Sequence, residues 1–118
     1  MEGKEKGDMK KVLVVGSLNM DMVLSVDHHP VPGETIIGDG ITYHPGGKGA
    51  NQAYAVGKLG GDVRIIGCVG WDNNGMILTE NLAQAGVDTT AINRMPEAPT
   101  GMAIIDVDKK GDNSIIVI

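Results

Sequence analysis

Asn19 and Asp21 stand two residues apart in a stretch, residues 18–26, that otherwise reads as an extended strand with one wet face. A side-chain period of two sends the amide and the carboxylate to one face and Met20 to the other. A carboxylate accepts hydrogens from two hydroxyls, and a carboxamide both donates and accepts, so the pair matches a vicinal diol. A local turn or capping role fits the same spacing. The pair follows an apolar run, residues 12–15, and a Gly16-Ser17 break. In open α/β sheets ligands bind in that region, beyond the carboxyl ends of the parallel strands.

A second candidate is Gly46-Gly47-Lys48-Gly49-Ala50-Asn51-Gln52, which opens a helical stretch running to Leu59. Glycines ahead of a helix let backbone N–H groups approach a ligand, and a helix N-terminus favours negative charge or hydroxyl oxygens. Lys48 and Asn51 are three apart and share a face if the helix starts there. The phosphate-loop pattern G-x-x-x-x-G-K-[ST] fails twice, at Thr42 and at Gly49, and the dinucleotide pattern G-x-G-x-x-G fails at Gln52. A plain glycine-rich turn is the competing reading.

Other residues carry less. His28 and His29 are adjacent, so they project differently and chelate poorly as a pair. His44 precedes Pro45 at the rim of the glycine motif, within reach of a ligand there, and is read as a surface loop residue. Gly60-Gly61-Asp62 lies between a helix end and a strand start, which favours capping over chemistry. Cys68, flanked by Ile65, Ile66 and Val69, is expected in the core, since a single cysteine forms no internal disulfide.

The elements that must hold these residues follow from pattern. Residues 12–15 and 63–69 are continuous apolar runs, as strands of a parallel sheet covered on both faces are. Helices are expected over residues 50–59 and 76–85, with residues 70–75 supplying turn and N-cap. Pro32-Gly33 suits the centre of a type II turn. Hairpins are expected over residues 35–44 around Asp39-Gly40, and over 100–118 across residues 108–112. Strands alternating with helices give an α/β fold with a mostly parallel sheet and right-handed crossovers. The segments 20–26, 35–44 and 100–118 are expected to form a separate small sheet.

Composition narrows the class. The chain has 118 residues, 10 Lys+Arg against 15 Asp+Glu, 42% hydrophobic and 21% charged residues, which suits one globular unit rather than a disordered chain. The net charge of -5 counts against nucleic acid or an anionic membrane as partner. No apolar run reaches membrane-spanning length and no signal core precedes Lys11, so a cytoplasmic setting is expected. Residues 1–10 are charged and aperiodic and read as a mobile tail. The bare β-branched run at residues 115–118 is expected to be a strand of a longer protein.

Val14-Val15-Gly16-Ser17-Leu18-Asn19-Met20-Asp21, Pro32-Gly33-Glu34-Thr35, Pro45 through Ala53, Gly70-x-Asp72-x-x-Gly75 and Thr100-Gly101 occur in that order. Together they resemble the N-terminal part of the PfkB carbohydrate kinases, and among them most closely the ribokinase-like members. The resemblance implies a Rossmann-like α/β domain whose parallel sheet is flanked by helices and covered by a small β-sheet lid. It implies ATP-dependent phosphorylation of a sugar hydroxyl, D-ribose to ribose 5-phosphate, with Mg²⁺, a monovalent cation (K⁺) and lids paired in a homodimer. Asn19, Asp21, Gly46, Gly47, Lys48 and Asn51 would hold the sugar. The family's catalytic base, nucleotide pocket and cation site match nothing in these residues, so the chain by itself is expected to be inactive. Kinases for another sugar or a nucleoside share the framework, and a non-catalytic sugar-binding or dimerising lid module is a further alternative.

Overall fold

A computed structural model describes residues 9–118; apart from Met9 and Lys10, the tail expected over residues 1–10 lies outside the described residues. The elements run β1 (Lys11–Val15), β2 (Asn19–Ser25), β3 (Gly40–Gly46), α1 (Lys48–Lys58), β4 (Asp62–Gly70), α2 (Asn73–Gln84), β5 (Ile92–Met95), β6 (Gly101–Val107) and β7 (Asn113–Val117). They build two sheets, β1-β4-β5 and β3-β2-β6-β7. The first is parallel throughout. In the second, β2 pairs parallel with β6, and β3 and β7 add antiparallel edges. The fold is α/β, as the alternation of strands and helices requires.

Helix α1 buries Gly49, Ala50 and Ala53, a face of small residues that lets its backbone lie close on β4. Helix α2 buries Leu78 and Leu82, one turn apart, against the same core as Val63 and Ile65. Each fully buried aliphatic side chain contributes about 1.5–3 kcal/mol of transfer free energy. Both helices stop the same way. Gly60 N–H donates to Gly57 O and Gly61 N–H to Val56 O; Gly86 N–H donates to Ala83 O and Val87 N–H to Leu82 O. With Gly60 at φ 83° and Gly86 at φ 89°, these are Schellman closures, which only a residue tolerant of the left-handed region makes without strain. Capping, not chemistry, is what Gly60-Gly61-Asp62 does here.

Several expectations hold at the level of hydrogen bonds. Pro32-Gly33 forms a type II turn, with Gly33 at φ 85° and Glu34 N–H donating to Val31 O at 2.9 Å. The β6–β7 hairpin closes over Asp108, whose carboxylate accepts from Lys110 N–H and Asp112 N–H, with Gly111 at φ 86°.

Four expectations are corrected. The hairpin over residues 35–44 does not form: residues 34–38 carry no strand, and β3 pairs with β2. A tight Asp-Gly hairpin turn needs positive φ at both positions; neither Asp39 nor Gly40 has it, and Asp39 N–H donates to Ser25 O instead. Helix α2 starts at Asn73 rather than at residue 76, because Asp72 is its N-cap and accepts from Gly75 N–H. Strand β1 is covered on one face only among the described residues: Val14 is buried, while Leu13 is 58% and Val15 72% exposed. Cys68 is exposed, because strand alternation sends Val63, Ile65 and Val69 to the helices and Arg64, Ile66 and Cys68 to the other side.

At the junction of the two sheets Gly16 and Gly49 meet backbone to backbone; a Cβ on Gly49 would lie 2.7 Å from Gly16 Cα and 2.9 Å from Ser17 N. Gly49→Ala should therefore force backbone movement and cost about 1–3 kcal/mol, read as a lower urea midpoint at unchanged m-value. Gly40→Ala, where a Cβ would meet nothing within 4 Å, is the control expected to leave the midpoint in place. A second prediction concerns acid. Hydrogen bonds from the Thr90 hydroxyl and N–H, together with Arg64, bring the Asp88 carboxyl down to about 2, against an ordinary value of 3.8. Its contribution is complete above 3.8 and is lost as pH falls toward about 2. The melting-temperature gap between wild type and Asp88→Asn should be open at pH 5 and narrow by pH 2; a gap independent of pH would contradict this.

Candidate functional site

Strand β2 carries Asn19 and Asp21 on one face, and Met20 between them turns into the core at 3% exposure. Register explains what surrounds them. Asn19 stands opposite Gly46 of β3 on one side and Gly101 of β6 on the other, so its amide lies over bare backbone. A Cβ on Gly101 would sit 2.5 Å from Asn19 Oδ1. Asp21 stands opposite His44 and Ala103, and its carboxylate leans over Gly46, where a Cβ would come within 2.5 Å of Oδ2. Both side chains are half-buried. Among the described residues neither side chain accepts or donates a hydrogen bond, and their polar atoms are not buried without partners, which leaves them free to meet a ligand.

Gly47 connects this face to helix α1. Its φ of 98° lies in the left-handed region, and a Cβ would collide with Ser17 O at 2.4 Å and approach Asn19 N at 3.0 Å. Glycine is required on both grounds. Ser17 O in turn accepts from Ala50 N–H at 3.0 Å, which seats the first turn of α1 on the β1–β2 connection. No side chain caps the helix and its first turn holds no acidic residue, so the positive end of its dipole is left to an external acceptor. Lys48 is the first helical residue and is exposed.

Asn19, Asp21, Gly46 and Gly47 are thus brought into direct contact, with Lys48 next in chain. Asn51 lies one helical turn on and lines a cleft of about 260 Å³ together with His44, Pro45, Tyr54 and Asn81, over a floor that includes Leu78 and Leu82. Asn19, Asp21 and Lys48 are not among the residues lining that cleft. His44, read from sequence as a loop residue, is on strand β3 opposite Asp21 and meets the Thr42 hydroxyl at 3.0 Å. It borders both the Asp21 face and the Asn51 cleft. The signal that could have found it is its two-residue offset from Gly46, legible only once the β2–β3 register is known.

The adjacent imidazoles diverge. His28 lies between Asp27 Oδ2 at 3.1 Å and Glu34 Oε2 at 2.9 Å. The two carboxylates, Glu34 first, hold its pKa above the usual histidine value. His29 faces Asp106 and Asp108. Among the described residues no group of three His, Cys, Asp or Glu side chains converges to hold a metal ion.

One contact between motifs was not legible in the sequence. Asp72 caps α2 through Gly75 N–H at 2.8 Å and also takes two hydrogen bonds from Thr100, one from N–H at 2.8 Å and one from the hydroxyl at 2.6 Å. The Thr100 hydroxyl accepts from Gly70 N–H at 2.8 Å, and Thr100 is 4% exposed. These bonds hold the Asp72 carboxyl below its ordinary pKa, the Thr100 hydroxyl first among the causes. Asp72 was legible as a cap; its partner 28 residues away was not.

A family model described as pfkB family carbohydrate kinase matches residues 9–118. A ribokinase of Haemophilus influenzae is 46% identical over 110 residues, covering 92% of this chain and 36% of the relative. Among solved structures, an Arabidopsis thaliana ribokinase complexed with ribose and ATP superposes with a TM-score of 0.84 at 34% identity, covering 93% of this chain and 36% of that one. A Thermotoga maritima ribokinase gives 0.82 at 46% identity over 91% of this chain and 35% of that one. The chain spans about a third of the length of the curated relatives it matches. The matched span takes in nearly the whole chain, and the chain belongs to the pfkB family of carbohydrate kinases.

Proposed function

We propose that these residues form the sugar-holding part of an ATP-dependent kinase that phosphorylates a sugar hydroxyl, D-ribose to ribose 5-phosphate. The observation that carries this reading is the Asn19 and Asp21 pair, without side-chain hydrogen bonds among the described residues, laid over Gly46 and Gly101 beside a helix N-terminus that has no side-chain cap. The Asp21 carboxylate accepts from two neighbouring hydroxyls, Asn19 accepts from one and donates to another, and the N–H groups at the start of α1 donate to hydroxyl oxygens. Lys48 adds a charged donor. These groups bind and orient the sugar, which is how most of the barrier to phosphoryl transfer is addressed.

The described residues do not fit a magnesium ion, since no acidic cluster converges. We therefore assign Mg²⁺, K⁺, the ATP phosphates and the base that takes the hydroxyl proton to residues outside these 118. The chain alone should then show no turnover. The four-stranded sheet serves as the lid over the sugar, and its exposed apolar strands, with Tyr43 on β3 and Ile116 on β7, support a homodimer formed through lid strands. Among the described residues no helix is long and apolar enough to cross a membrane; a cytoplasmic setting is part of the proposal.

Calorimetric titration of the complete protein with ribose, fructose and adenosine tests the substrate. Ribose should bind best, and Asp21→Asn should weaken it by tenfold or more, since a hydrogen bond to a charged group is worth ~1.5–3 kcal/mol. Unchanged affinity would remove Asp21 from the site. Sedimentation of the complete protein should show a dimer, and a monomer at high concentration would remove the lid-pairing reading.

A further inference from the structure

Strand β6 begins at Gly101, and Gly101 is the backbone on which the Asn19 amide rests. The residue just before it, Thr100, is tied on three sides. Its hydroxyl donates to Asp72 and accepts from Gly70 N–H, and its own N–H donates to the second Asp72 oxygen. Asp72 is at the same time fixed to the start of α2 through Gly75. Space around the knot is closed as well: a Cβ on Gly70 would lie 2.5 Å from Thr100 N, and one on Gly75 2.3 Å from Gly70 O. The first residue of β6 is therefore referred to the end of β4 and the start of α2, both in the body of the first sheet. None of Gly70, Asp72 and Thr100 stands on the face that carries Asn19 and Asp21.

We propose that Thr100, clamped by Asp72, is a positioning residue for Asn19: it fixes Gly101 under the amide and so sets how tightly the sugar is held. This assignment rests on the sugar-kinase reading above. A hydroxyl is needed because one atom must donate to a carboxylate and accept from a backbone N–H together. Valine has the same shape and does neither, leaving Asp72 and Gly70 N–H short of a partner in a buried place. Gly101 acts at the next step, since an added methyl would press directly on Asn19 Oδ1.

The test is steady-state kinetics of the complete protein with ribose and ATP, together with melting temperatures. Thr100→Val should raise the ribose KM by tenfold or more and leave the ATP KM within twofold, and Thr100→Ser, which keeps the hydroxyl, should restore the ribose KM. Gly101→Ala, which leaves the knot intact, should raise the ribose KM in the same way; if Thr100→Val does not fold, Asp72→Asn decides the matter, since it should raise the ribose KM and an unchanged value would overturn the assignment. Variants that melt earlier yet keep a ribose KM within twofold of wild type would overturn the assignment, reducing the knot to a helix cap. Asn19→Ala separates the two levels: an unchanged ribose KM there would remove the sugar site itself, and with it the role given to Thr100.

Discussion

Gly16 and Gly49 touch with no side chain between them, and the seating of α1 beside β2 follows from that contact. It presses the N-terminus of α1 onto the connection between β1 and β2, where Ser17 O takes the Ala50 N–H. Gly47 then has to pass over Ser17 in a left-handed conformation, which delivers the first helical N–H groups beside the residue that opens β2. A β-carbon at position 16, 47 or 49 would intrude on backbone rather than on a movable side chain. The geometry has little room to adjust, and that stiffness is what a preorganised binding site needs.

Polar groups at this junction keep few partners within the chain. The Asn19 and Asp21 side chains make no hydrogen bond among the described residues, and the start of α1 has no side-chain cap, its Ala50 N–H being met by Ser17 O. Elsewhere the chain satisfies its local rules closely: both helices close on glycine, α2 has an aspartate cap, and the β6–β7 turn is laced by Asp108. Among the described residues the one buried side-chain polar atom without a hydrogen-bond partner is His29 Nδ1, in the loop after β2, so what marks the junction is polar groups left open for a ligand rather than groups buried unpaired.

Features governed by near neighbours in the chain could be read before the structure was seen. The type II turn at Pro32-Gly33, the glycine helix stops, the β6–β7 hairpin and the common face of Asn19 and Asp21 all depend on spacings of a few residues. What escaped depends on partners far along the chain. Asp39-Gly40 has the composition of a tight turn, but β2 supplies a better-placed edge for β3, and the local preference yields to it. Cys68 has apolar neighbours in sequence, yet alternation along β4 turns it away from the helices. Strand β1 reads as buried on both faces because its residues are apolar, and composition does not say which face the helices occupy. Thr100 looked like a motif residue of unknown purpose, since nothing near it in sequence reveals Asp72.

The same distinction separates the two ways in which Asn19 is located. On the β3 side its surroundings come from Ser17, two residues before it, and from the glycines that open α1, brought alongside by antiparallel pairing with the strand that leads into that helix. On the β6 side they come through a parallel pairing that is made only after the chain has passed through α1, β4, α2 and β5. Parallel neighbours of this kind lack a tight turn to fix their register, so the register must be fixed at the strand start by something else. Thr100, immediately before β6 and bonded to the end of β4 and the cap of α2, stands at the one point where a side chain can do this without entering the site. A glycine must then follow it, because the backbone that register brings alongside Asn19 has to leave the amide room to reach a ligand.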